Sequence, residues 1–173
     1  DETLPINSSE MDSQLKMRQE FVIQQVKNAG GFDFAQSVVW SNNDNHPLKQ
    51  LQFHNFPWMS KGALDFLEQV ASGEKPFFLY LAPTSIHGPN HFADLDADKT
   101  FTPEGRIPDI EKYNFDEKAL KDELLKNPGA KRHRAAGMAS LDYQVKLVVE
   151  KLKEKGVYDN TVILFMSDHN IEP

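Results

Sequence analysis

Cysteine is absent from the 173 residues, which excludes disulfides, zinc–thiolate sites and thiol nucleophiles for this sequence and leaves the compartment open. Long apolar runs are lacking too. No stretch approaches the ~18–20 consecutive apolar residues of a membrane span, and the start at Asp1-Glu2-Thr3 has neither the basic nor the apolar region of a signal peptide. An excess of positive charge is missing: 19 basic against 26 acidic side chains give a formal charge of −7 and a pI near 5.3. Affinity for nucleic acid rests on clustered Lys and Arg that displace counterions, so nucleic acid is excluded as a partner. Repeats and low-complexity tracts are also absent. What is present is an ordinary globular composition, 39% hydrophobic, at a length suited to one domain, and disorder is excluded as the main reading. The start without Met, and the stop at residues 167–173 directly after an apolar run, give the expectation of an internal piece of a longer protein.

Residues 1–13 are polar and read as a loosely held lead-in. Over residues 14–29, Leu15, Met17, Phe21, Val22, Val26 and Ala29 recur at helical spacing, with Gly30-Gly31 as the stop. Residues 32–40 carry aromatic and β-branched side chains and suggest a short strand, ended by the turn formers Ser41 to Pro47. Pro57, Trp58, Ala63, Leu64, Phe66, Leu67 and Val70 mark a second helix. Residues 75–82 form a nearly unbroken apolar run, the signature of a strand buried on both faces, and residues 161–166 form another. Between them lie a long loop region, residues 83–129, with one weak helical patch near 115–125, and a strongly periodic helix over 132–155. Helices alternating with such strands predict an α/β domain: a mostly parallel sheet with helices on both faces, spanning 14–173.

In open α/β sheets ligands bind beyond the carboxyl ends of the strands. The first apolar run leads into Pro83-Thr84-Ser85-Ile86-His87-Gly88-Pro89 and the second into Ser167-Asp168-His169-Asn170, so parallel strands would bring His87, Asp168 and His169 to one edge. A carboxylate and an imidazole side by side suit a divalent cation; the alternative is a strand-end turn with Asp168 capping backbone N–H groups. Histidine is the side chain whose unperturbed pKa lies near neutrality, so His87 fits a proton donor or an anion-binding group, the alternative being a loop histidine stiffened by prolines. Asn42 to His46 lack the Gly and distal Glu of a calcium loop and read as a turn. Lys131 to Arg134 form a basic patch at a helix start, read as a solvated face; Asp142 is a surface residue or a partner to a ligand.

Three segments taken in order carry a family likeness: Lys75-Pro76-Phe77-Phe78-Leu79-Tyr80-Leu81 with Ser85-Ile86-His87-Gly88-Pro89; Met138-Ala139-Ser140-Leu141-Asp142-Tyr143-Gln144-Val145; and Gly156-Val157-Tyr158-Asp159-Asn160-Thr161 through Ser167-Asp168-His169. Together they resemble the sulfatase family of the alkaline phosphatase superfamily, from about Phe32 onward. The resemblance implies that Asp168 and His169 bind a divalent metal, usually calcium, and that His87 contacts the sulfate and assists the leaving group. It implies a sulfated small molecule or glycan as substrate, and a periplasmic, secreted or lysosomal location. The family's formylglycine arises within Cys/Ser-x-Pro-x-Arg, a motif this sequence lacks, as it lacks the early Asp-Asp pair and Gly-Lys-x-His. The expectation is therefore part of a sulfatase catalytic domain, inactive by itself. A phosphonate or phosphate ester hydrolase of the same superfamily and a non-catalytic binding domain are the alternatives. Uncovered sheet edges and helix faces would favour self-association.

Overall fold

The computed structural model describes residues 4–88, 90–127 and 131–167. Helix α1 (Ser9–Gly30) begins five residues before the apolar period does, because Ser8 is a good N-cap: its Oγ accepts from the Met11 N–H at 3.1 Å, and Glu10 and Asp12 sit in the first turn where the helix dipole favours acids. Gly31 ends it in the left-handed conformation (φ 68°), its N–H donating to the Lys27 carbonyl. Met11, Leu15, Gln19 and Val22 form the buried stripe, whereas Met17 and Phe21 point outward. Residues 32–40 form no strand. Ser37 has φ 53° there, and its hydroxyl donates to the Trp58 carbonyl, so this segment follows helix α2 (Phe56–Val70) rather than pairing with another strand.

Helix α2 is capped by the Asn55 side chain, carries Pro57 in its first turn where no N–H is needed, and buries Trp58, Met59, Ala63, Leu64 and Leu67. Short helix α3 (His91–Asp94) and helix α4 (Glu117–Lys126) punctuate the region read as a long loop, with a two-stranded antiparallel ribbon between them, β1 (Phe101–Thr102) and β2 (Gly105–Arg106). Helix α5 (Arg132–Glu154) matches the expected bounds and packs across α2 and α3, but its buried stripe is Ala136, Gly137, Ser140, Gln144 and Leu152, and Met138 is exposed. Gln144 on α5 donates to the Ser60 hydroxyl on α2 at 3.3 Å, and Lys151 and Lys155 reach Glu68.

Three apolar clusters hold these elements. Met11, Leu15, Leu51 and Phe101 join α1 to the ribbon, with Leu4 and Ile6 of the expected lead-in packed against them. Phe56, Trp58, Met59 and Ile110 join α2 to the turn at Ile110–Tyr113. Leu95, Leu124 and Ala136 join α4 to α5. Lys99 is buried to 1% exposure between them, its ammonium donating to the Asp94 and Ala97 carbonyls at 2.7 and 3.3 Å and to Glu117 at 2.9 Å. Burial pushes the Glu117 carboxyl up, and Lys99 opposes that shift.

The expected mostly parallel sheet is not seen: among the described residues the β1–β2 ribbon is the sheet, and it is antiparallel. Residues 75–82 and 161–167 carry no ladder bonds. Their apolar content has a different expression. Phe77, Leu79 and Leu81 turn inward at period two, Phe77 meeting Phe66 of α2 edge-on at 6.0 Å, whereas Phe78 and Tyr80 are 75% and 71% exposed. Val162, Leu164 and Met166 are open as well, at 86%, 76% and 81%. Burial on both faces and both edges needs partner strands, and a continuous apolar run specifies the need without supplying the partners.

Candidate functional site

His87 stands where the strand-end reading put it, exposed in the loop that leaves the extended segment 77–82. A tight turn fixes it: its N–H donates to the Thr84 carbonyl at 3.3 Å. Its Nδ1 lies 3.0 Å from the Gly88 carbonyl oxygen. A carbonyl only accepts, so this contact puts the ring proton on Nδ1 and leaves Nε2 to take or deliver a proton outside. Behind it, the Ser85 hydroxyl donates to the Gly137 carbonyl on α5 at 3.0 Å, fastening the loop to the longest helix.

Asp168 and His169 lie outside the described residues. The segment before them, 161–167, forms no regular element and exposes its apolar side chains. Asp142 is exposed on α5. The Asn42 to His46 cluster is a turn, with a helical turn at Asn43–Asn45, but Asn43 is buried: its amide donates to the Phe53 carbonyl at 2.9 Å and faces His54 Nδ1 at 3.1 Å. The basic patch splits. Arg132 donates to the Leu124 carbonyl at 3.1 Å, whereas His133 turns toward α3.

That turn exposes a constellation absent from the sequence reading. His54, His91 and Asp94, exposed by 1%, 2% and 7%, each offer a ligand atom within 4.8 Å of the others. The His54 and His91 ring centroids are 4.0 Å apart, and His133 stacks on His91 at 4.9 Å. His91 Nδ1 lies 3.5 Å from Asp94 Oδ2, which also accepts from the His54 backbone N–H at 3.2 Å. His133 Nδ1 accepts from the His91 backbone N–H at 2.9 Å. Burial holds His133 below the ordinary histidine range; His91 and Arg134 act in the same direction and Asp94 opposes them. Gly137 makes the room, since a Cβ there would lie 2.8 Å from His91 Cδ2 and from Ile86 Cγ2. The i, i+3 pair His91 and Asp94 on a helical turn was the available sequence signal; His54, 37 residues upstream, had none.

Comparison with known proteins places these features in context. The family model described as Sulfatase matches residues 10–173. The chain is 30% identical over 109 residues to the uncharacterized sulfatase YdeN of Escherichia coli, covering 62% of this chain and 15% of that protein. It is 29% identical over 146 residues to an arylsulfatase of Clostridium perfringens, covering 77% of this chain and 28% of that protein. The chain thus spans less than a third of the length of either relative.

Proposed function

Because the chain belongs to the sulfatase family, we propose that it forms part of the catalytic domain of a metal-dependent sulfatase that hydrolyses sulfate esters. Membership implies the alkaline phosphatase-like α/β fold. The observation that carries the reading is the family match across residues 10–173, within which His87 sits exposed beyond an extended apolar segment.

In this proposal His87 acts at the sulfate. With Nδ1–H held by the Gly88 carbonyl, Nε2 is the atom that meets the ester: protonated, it donates to a sulfate oxygen or to the leaving-group oxygen as the S–O bond breaks. Asp168 and His169 would hold a divalent cation, calcium in this reading, whose chemistry when bound is to offset charge on the transferring sulfuryl group. The Asp168 carboxylate supplies at most two of the six to eight oxygen ligands calcium takes, and the His169 imidazole supplies a nitrogen beside them. The remaining ligands, and the formylglycine nucleophile whose Cys/Ser-x-Pro-x-Arg motif this sequence lacks, would come from the rest of a longer protein. The substrate would be a sulfated small molecule or glycan.

The test compares this 173-residue chain with the longer protein carrying its flanking sequence, on an aryl sulfate and on the matching phosphate and phosphonate esters. The expected result is no turnover by the chain alone, sulfate-ester hydrolysis by the longer protein, and a fall in its kcat of about 10²–10⁴-fold on His87→Ala. Preference for the phosphorus esters, or full activity in His87→Ala, would overturn the assignment. No turnover of any ester by the longer protein would favour a binding domain.

A further inference from the structure

We propose that His54, His91 and Asp94 form a structural transition-metal site, of the kind that takes zinc, which ties the segment before α2 to helix α3 beside the His87 loop. It is separate from the cation assigned to Asp168 and His169 and does not depend on that assignment.

The donor set decides the class of ion. Two imidazoles and one carboxylate suit zinc and its neighbours, whereas calcium and magnesium prefer all-oxygen shells. A tetrahedral site with bonds of about 2.0–2.1 Å has ligand atoms roughly 3.3 Å apart. His91 Nδ1 and Asp94 Oδ2 already stand 3.5 Å apart, and all three residues offer atoms within 4.8 Å of one another, so small side-chain rotations close the set. A fourth position is left for water or for His133, whose ring stacks on that of His91 at 4.9 Å.

The buried ring of His91 points to a ligand. At 2% exposure its Nδ1 contact to Asp94 is too long for a good hydrogen bond. A cation coordinated through Nδ1 would replace that long contact and offset the Asp94 charge in one step. Groups for an outer shell are at hand. Thr84 Oγ1 and the Asn43 amide lie 2.7 and 3.1 Å from His54 Nδ1; the amide only donates, so coordination through Nε2 would move the ring proton to Nδ1, with Thr84 Oγ1 as its acceptor and the Asn43 amide turned away. The His54 backbone N–H orients the Asp94 carboxylate. Each ligand comes from a different place: the segment before α2, the start of α3 and its end. Thr84 lies three residues before His87, so an ion here would brace the loop that presents it.

The test unfolds the full 173-residue chain, refolds it with Co²⁺, removes loose metal by gel filtration, and measures metal content and the visible d–d spectrum. The expected result is one retained Co²⁺ per chain with the bands of a tetrahedral nitrogen–oxygen site, displaced by Zn²⁺. His91→Gln and Asp94→Asn should each weaken retention by about tenfold or more, while Asp168→Asn with His169→Asn leaves the bands unchanged. Should the ligand variants fail to refold, X-ray absorption of the zinc-loaded unaltered chain decides, with two imidazole scatterers expected in the shell. No retained metal, bands lost with Asp168 and His169 instead, or a shell of oxygen alone would overturn the proposal.

Discussion

Lys99→Met is the sharpest probe of the packing that supports the site. Methionine keeps most of the stem but removes an ammonium that is 1% exposed and makes three hydrogen bonds, to the Asp94 and Ala97 carbonyls and to Glu117. Two carbonyls then lose a donor, and the Glu117 carboxylate, its side chain 15% exposed, keeps the Asn114 amide at 2.9 Å. Removing one partner of a buried ion pair costs about 3–5 kcal/mol. Because Glu117 retains a donor and some solvent, the lower end applies: about 3 kcal/mol, or roughly 6–12 °C in Tm for a chain of this size. The penalty should depend on pH. Burial already raises the Glu117 pKa, and loss of Lys99 raises it further, so the folded state holds that proton more tightly than the unfolded chain. Stability is then lost as pH rises from the ordinary carboxyl value through the raised one, and the deficit of the variant should shrink between about pH 7 and about pH 5. Urea unfolding followed by fluorescence of Trp58, 1% exposed, measures both effects. Glu117→Gln added to Lys99→Met should recover part of the loss. A deficit under about 1 kcal/mol, or one equal at both pH values with no recovery in the double variant, would refute the reasoning.

Gly137→Ala should cost about 1–3 kcal/mol by thermal melting, because its Cβ would meet His91 and Ile86 at 2.8 Å, whereas Gly88→Ala, with open space around it, should change stability by less than about 0.5 kcal/mol. Burial, with Arg18 adding to it and the Leu48 carbonyl opposing, holds His46 below its ordinary pKa of 6.5, so stability should fall as pH drops through 6.5 toward the lowered value. His46→Gln should flatten that slope in urea midpoints, and an unchanged slope would contradict the assignment. The open apolar side chains at Val162 and Leu164 should make the isolated chain associate with rising concentration in sedimentation, and Val162→Lys with Leu164→Lys should shift it toward monomer.

The helices were legible because their signals are local. The apolar period with Pro57 near its start marks α2, and the run from Ala135 to Leu152 marks α5. Helix α1 started earlier than its apolar period because a single cap, Ser8, outweighed the polar composition around it. The two apolar runs were read as sheet interior. Residues 77–82 alternate inward and outward as a strand would, but a ladder also needs neighbouring strands that no pattern within a run can provide. His87 keeps its place after such a run, exposed in a loop.

By itself the sequence determined the α2 and α5 helices, the absence of thiol chemistry and the order of segments that marks the sulfatase family, since each of these is written in neighbouring residues or in their succession. Only the tertiary structure decided that His54 meets His91 and Asp94, that His133 leaves the basic patch to stack on them, and that Lys99 is buried against Glu117. Those contacts join residues 18 to 42 positions apart or more, brought together by burial of the three apolar clusters. Hydrophobic burial sets which faces meet without regard to sequence distance, so the polar groups it gathers are fixed by packing and carry no mark in the linear chain.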